Sequence, residues 1–217
     1  MSAISPTTNH VETYTPDERM LVFGRRLSNV KILHLCFLWS GIPLMLGIII
    51  GGGLIAGFLP PPHPYSGAEE IAQMFRETNM SIKYGIAGSF LVLPFVITFG
   101  IALAAQTRRI EGRIPILTYM QLVSISAGVV LFIVLWITWL IAAYRPERAA
   151  VEILLVNDAA FLLLATAYPT FSTWCLAYGL AILFDRKEDP IIPRWIGYYS
   201  IFTAISFIPD SLAAFFT

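Results

Sequence analysis

Residues 118–143 read TYMQLVSISAGVVLFIVLWITWLIAA, twenty-six positions without one Asp, Glu, Lys or Arg. As an α-helix this run rises about 39 Å, more than the roughly 30 Å of a bilayer's hydrocarbon core. Alternation of period 2 is absent, and a chain in lipid must satisfy its backbone hydrogen bonds internally, so the run predicts a membrane-crossing helix rather than a barrel strand. Working outward, four more apolar runs cover 32–58, 84–105, 159–184 and 195–217. Only the last holds a charged residue, Asp210. The predicted fold is therefore all-α, a polytopic transmembrane helical bundle of five spans with amphipathic surface helices.

Composition agrees. Of 217 residues 57% are hydrophobic and 13% charged, against roughly 45–50% and 25% in soluble domains. The formal net charge is zero, which leaves no basic field to hold nucleic acid. Charge placement says more than the total. Arg19, Arg25, Arg26, Lys31, Arg108, Arg109, Arg113, Arg186, Lys187 and Arg194 fall on one side of the five spans, and Arg76, Lys83, Arg145 and Arg148 on the other. That ten-to-four split predicts a cytoplasmic N-terminus.

Two domains of unequal weight follow: a cytoplasmic tail, 1–31, and a single transmembrane domain, 32–217. In the tail, Thr15-Pro16-Asp17-Glu18 starts a helix by capping logic, and the mixed apolar and basic stretch to Lys31 makes it juxtamembrane and amphipathic, its basic side toward anionic lipid. In the first outer loop, Pro60-Pro61-Pro62 enforces extended chain. Ser66 and Glu69 then form a capping box for a second amphipathic helix carrying Ile71, Met74 and Phe75. The terminal run stops at Phe215-Phe216-Thr217 without a polar anchor, which fits either a fifth span ending at the outer surface or a piece of a longer protein with a sixth helix.

Within the spans, Pro43, Pro94, Pro169 and Pro209 predict kinks, which shape a bundle and can also open cavities or supply hinges. Gly47 with Gly51, and Gly53 with Gly57, have the four-residue spacing that lets another helix approach closely, from this chain or from another subunit. Cys36 and Cys175 lie in apolar runs and read as small packing residues rather than a disulfide.

The candidate site is the outer half of the bundle. Glu152, Asn157 and Asp158 stand where span four starts, Arg145 and Arg148 just above it, and Asp210 about fifteen residues into an outward-running span five, hence at the level of Asn157 and Asp158. An intramembrane carboxylate is costly and usually faces a partner or a water-filled cavity. The set predicts either a polar vestibule for a proton, cation or small headgroup, or a structural pairing of Asp158 with Arg145 or Arg148 while Asp210 reaches the outer interface. No metal site is expected, because His10, His34 and His63 share no depth, and Lys31, Lys83 and Lys187 all lie at span ends, which disfavours a retinal Schiff base. No cofactor is expected.

Several strings occur in a familiar order: Ala68-Glu69-Glu70-Ile71, Phe75-Arg76-Glu77, Arg109-Ile110-Glu111-Gly112-Arg113, Tyr119-Met120-Gln121-Leu122, Arg145-Pro146, Val156-Asn157-Asp158 and Pro193-Arg194-Trp195-Ile196-Gly197-Tyr198. From Lys31 onward the chain resembles a family of bacterial multi-pass membrane proteins without assigned activity. The resemblance implies a bacterial inner-membrane location and one further apolar helix beyond Phe216. Three functional classes stay open: a non-catalytic protein that binds a lipophilic or small polar ligand or joins a larger membrane assembly through span one, with membrane lipids as partners; a small transporter or channel using Asp210 and Asp158; and a membrane enzyme, which lacks a recognisable nucleophile or ligand set.

Overall fold

The 118–143 run is the centre of the structure. In the computed structural model, which describes residues 31–63, 65–187 and 190–215, it forms α5 (Ile116–Tyr144). The elements before it are α1 (Lys31–Ile55), α2 (Ala68–Glu77), α3 (Asn79–Val92) and α4 (Pro94–Glu111). After it come α6 (Ala150–Thr166), α7 (Tyr168–Phe184), α8 (Arg194–Ser206) and a 3₁₀ segment, Ile208–Phe215. Among the described residues every regular element is helical. The chain divides into two units, Met1–Cys36 and Phe37–Thr217, and the packing below is that of the second. The tail helix expected before Lys31 lies outside the described residues.

Among the described residues four helices are long and apolar enough to cross a membrane: Lys31–Ile55, Asn79–Glu111, Ile116–Tyr144 and Ala150–Phe184. The fifth predicted span is not among them. α8 has thirteen residues, a rise of about 20 Å. It ends at Ser206 because Pro209, without an N–H, cannot donate to Ile205, and the chain continues as tighter 3₁₀ turns.

Each proline in an apolar run lies just after a break. Ser40 interrupts α1 ahead of Pro43, Leu93 separates α3 from α4 at Pro94, Ala167 separates α6 from α7 ahead of Pro169, and Phe207 ends α8 ahead of Pro209. Thr98, one turn after Pro94, donates its hydroxyl to Ser40 Oγ at 2.9 Å, tying two breaks together. α5 alone runs without a break. It packs against α3, α4, α6 and α7 and is the post around which the bent helices are arranged.

Close approaches are made through glycine. Gly51 and Gly85 place the backbones of α1 and α3 in contact. A Cβ built on Gly51 would lie 2.8 Å from the Gly85 carbonyl oxygen, and one on Gly47 would meet Val92 at 2.5 Å. Here the last turns of α1, Ile48–Ile55, widen to a π-helix, with Ala56 N–H donating to Gly51 O five residues back at 3.0 Å. Gly57 has φ +76° and nothing within 4 Å of a built Cβ. It terminates α1 and makes no helix–helix contact. Gly57→Ala should therefore cost only the backbone penalty, about 1–2 kcal/mol, read as a modest drop in the thermal midpoint in mild detergent. Gly179 and Gly197 bring α7 and α8 together in the same way, with Ser172 Oγ donating to Ala204 O at 2.8 Å across the pair.

The outer cap departs from expectation at its start. α2 begins at Ala68 with Gly67 as N-cap and no side-chain capping bond, so Ser66 and Glu69 do not form the box. The helix is held instead by burial of Ile71, Ala72 and Phe75 and by packing on α6. At the opposite end of the bundle, Glu111 accepts from Leu117 N–H at 2.6 Å and Thr118 N–H at 2.7 Å, so its carboxylate caps the first turn of α5. Cys36 is exposed and Cys175 half-buried, and both are free thiols. Cys36 is thus not a buried packing residue, because its side of α1 is not covered.

Candidate functional site: a cavity at the proline breaks

Residues within about a turn of each of the four breaks line a cavity of about 550 Å³, within the roughly 300–1,000 Å³ typical of small-molecule sites. Leu44 follows Pro43, Val96 lies two residues after Pro94, Ala165 and Tyr168 flank the α6–α7 junction before Pro169, and Phe207 and Asp210 bracket Pro209. Phe132 of unbroken α5 closes one side, and Phe161, Phe171 and Trp174 complete an aromatic lining. Straight helices at these positions would pack against α5 along their length, whereas bent ones diverge at one level and leave space.

Among the described residues Asp210 is the one carboxylate in the lining, and no Lys or Arg joins it there. It is exposed and sits at the start of the 3₁₀ segment, its N–H donating to Phe207 O at 3.2 Å. Pro169 leaves the Ala165 carbonyl without its usual i+4 donor. The polar side-chain groups of the lining residues are the Asp210 carboxylate, the Tyr168 hydroxyl and the Trp174 indole N–H, whose nitrogen has no hydrogen-bond partner.

The other residues singled out in the sequence lie elsewhere. Asp158 is three residues before Phe161 on α6 and does not itself line the cavity. Asp158 and Glu152 are both exposed. Neither Arg145 nor Arg148 pairs with Asp158, since the one ion pair among the described residues is Arg76 with Glu69 at 3.7 Å. Arg145 is exposed. Arg148 reaches back to the Ile141 carbonyl at 3.4 Å and, with Tyr144, tops a small apolar groove lined by Ile137, Leu140 and Ile141. Asn157 alone is buried, at 3% exposure, and its Oδ1 has no protein partner. So Asp210 lines the cavity and Asp158 does not, and the depth expected for Asp210 assumed an unbroken helix that Pro209 prevents.

Asn157 lies on α6 between Ile153 and Ala160, members of the larger apolar cluster, the core at the end of the bundle expected to face outward. There Trp139 stacks on Phe58 with ring centroids 4.1 Å apart and meets the edge of Phe161 at 5.1 Å. The indole N–H groups of Trp136 and Trp139 also lack partners. Phe161 belongs to both this core and the cavity wall, which couples the two. Sequence reasoning missed the cavity walls. The available signal was the coincidence of each intramembrane proline with an aromatic or large aliphatic neighbour.

Gly47 and Gly51 pack on this chain's own α3, and Gly53 against Leu59 in the turn after α1. Among the described residues no three His, Cys, Asp or Glu side chains are grouped to hold a metal ion. Comparison with known protein families, with curated proteins and with solved structures finds no match.

Proposed function

We propose that this chain is a multi-pass protein of a bacterial inner membrane, N-terminus in the cytoplasm, that binds a lipophilic ligand in the cavity at its proline breaks. The observation that carries the reading is one aromatic-lined space with residues within about a turn of each of the four breaks in its wall. Cytoplasmic placement of the α4–α5 and α7–α8 connections rests on Arg108, Arg109, Arg113, Arg186, Lys187 and Arg194. The apolar outer faces, among them Trp39, Leu91, Val123 and Phe202, suit contact with acyl chains. The groove beneath Arg148 has the chemistry for a lipid tail with an anionic headgroup.

The test is purification in mild detergent, solvent extraction, and mass spectrometry of whatever small lipophile accompanies the protein, together with titration of the neutral fluorophore diphenylhexatriene. Ala165→Trp should fill the cavity and lower both co-purifying lipophile and fluorophore binding by about tenfold or more, with the thermal midpoint kept. Equal loading of wild type and Ala165→Trp would refute the cavity as the site.

Transport is a second reading, favoured by one observation: α3–α4 and α6–α7 are both discontinuous at the level of the cavity, as in carriers whose sites form at broken helices. In proteoliposomes Asp210→Asn should then abolish coupled uptake at unchanged folded yield. A collapse in yield would assign Asp210 a structural role.

A further inference from the structure

We infer that the ligand of this cavity is a lipophilic cation, an apolar body carrying one delocalised or substituted positive charge, with Asp210 as its counter-ion. The inference rests on the proposed cavity site and adds the charge of the occupant.

Three features of the wall point the same way. Among the described residues Asp210 is the one carboxylate lining the cavity and no basic side chain lines it, and it makes no ion pair elsewhere. It is exposed, so its charge is accessible to an arriving cation. The second feature is the Ala165 carbonyl, which Pro169 leaves without its usual i+4 N–H donor, in a residue that lines the same space. The third is the ring content. Phe132, Phe161, Phe171, Trp174 and Phe207 line the cavity with Tyr168. Ring faces are electron-rich and attract cations, most strongly when both partners are shielded from water. An anionic amphiphile would be repelled by the Asp210 carboxylate, and a neutral hydrocarbon would make no use of it. A cation uses both the carboxylate and the aromatic lining, and a lipophilic one suits the remaining residues, which are apolar apart from the Tyr168 hydroxyl and the Trp174 indole N–H.

Tetraphenylphosphonium and tetraphenylborate are nearly the same shape and opposite in charge, which isolates the sign of the charge from fit. Binding of each to the purified full-length chain would be measured by equilibrium dialysis in a nonionic detergent, alongside diphenylhexatriene. The expected result is that wild type prefers the phosphonium by about tenfold or more, that Asp210→Asn narrows this preference to within about threefold while still binding diphenylhexatriene, and that Asp210→Glu restores it. Ala165→Trp should lose all three probes. A phosphonium preference unchanged in Asp210→Asn, or a preference for the borate, would overturn the inference and leave the cavity standing. Failure of wild type to bind any of the three would overturn both. Thermal midpoints of the variants, within a few degrees of wild type, show that the comparison is between folded proteins.

Discussion

Trp139→Ala is expected to bring the protein close to its unfolding threshold. The indole is 2% exposed and is the hub of the outer core. It stacks on Phe58 at an interplanar angle of 18°, presents itself to the edge of Phe161 at 77°, and lies 5.5 Å from Trp136. Removing it opens a void bounded by three helices and the chain after α1, none of which can close in without shifting α5. Large aromatic-to-alanine changes in cores cost about 3–5 kcal/mol, a large part of the roughly 5–15 kcal/mol that holds a typical domain. The loss here is chiefly of dispersion contact, since lipid is as apolar as the core. Thermal or denaturant unfolding in mild detergent should show a large drop in midpoint. Trp139→Phe keeps a ring in the stack and should recover most of it. A midpoint for Trp139→Ala within a degree or two of wild type would mean that the cluster does not organise the outer half.

The second large effect is expected at Gly85, where a single methyl group has nowhere to go. A Cβ there would come within 2.6 Å of the Ala56 nitrogen and 2.7 Å of Ala56 Cβ, and would also strike the Gly51 carbonyl. These are backbone atoms or a methyl fixed to backbone, so no rotamer change relieves the clash. The helices must separate, and Gly85→Ala should cost about 1–3 kcal/mol or more. Gly88, one turn further along α3, has nothing within 4 Å of a built Cβ. Gly88→Ala should be neutral or should stabilise by up to about 1 kcal/mol through helix propensity. The contrast between the two alanines, in one helix and three residues apart, is the measurement. Equal midpoints would show that α1 and α3 do not hold their contact.

The long unbroken helix was readable because it is charge-free and proline-free: 118–143 by sequence became Ile116–Tyr144. Where polar residues stand inside a helix, the same logic fails. The run set at 159 starts at Ala150, because Glu152 and Asp158 project outward and Asn157 is buried without interrupting the backbone. Hydropathy sees side chains, whereas the helix is made by main-chain hydrogen bonds. The span predicted at 195–217 failed for the opposite reason. Its side chains are apolar, but Pro209 cannot supply the amide that the helix needs.

Asp210 was singled out as a carboxylate inside an apolar run, yet its neighbours were not foreseeable from linear depth, because 3₁₀ turns after Ser206 do not advance at the α-helical rise. Gly85, Gly179 and Gly197 escaped notice because isolated glycines carry no spacing pattern. Only the partner backbone shows why they are small. Prolines were the most informative residues in the chain, though a proline's position announces a bend without its direction. Four bends toward a common point are a property of the assembled bundle.

The break at Ala167 has a mechanical consequence. The cavity is walled on one side of the break by Phe161, Leu164 and Ala165 and on the other by Phe171 and Trp174, and these belong to separate rods, α6 and α7. The first rod is clamped to the aromatic outer core through Phe161, the second to α8 through Gly179 and Gly197. Rotation at the joint would widen or narrow the gap between them. Both rods also pack on α5, so the girth of the chamber is tied to the angle at Ala167 and to how each rod seats on that post.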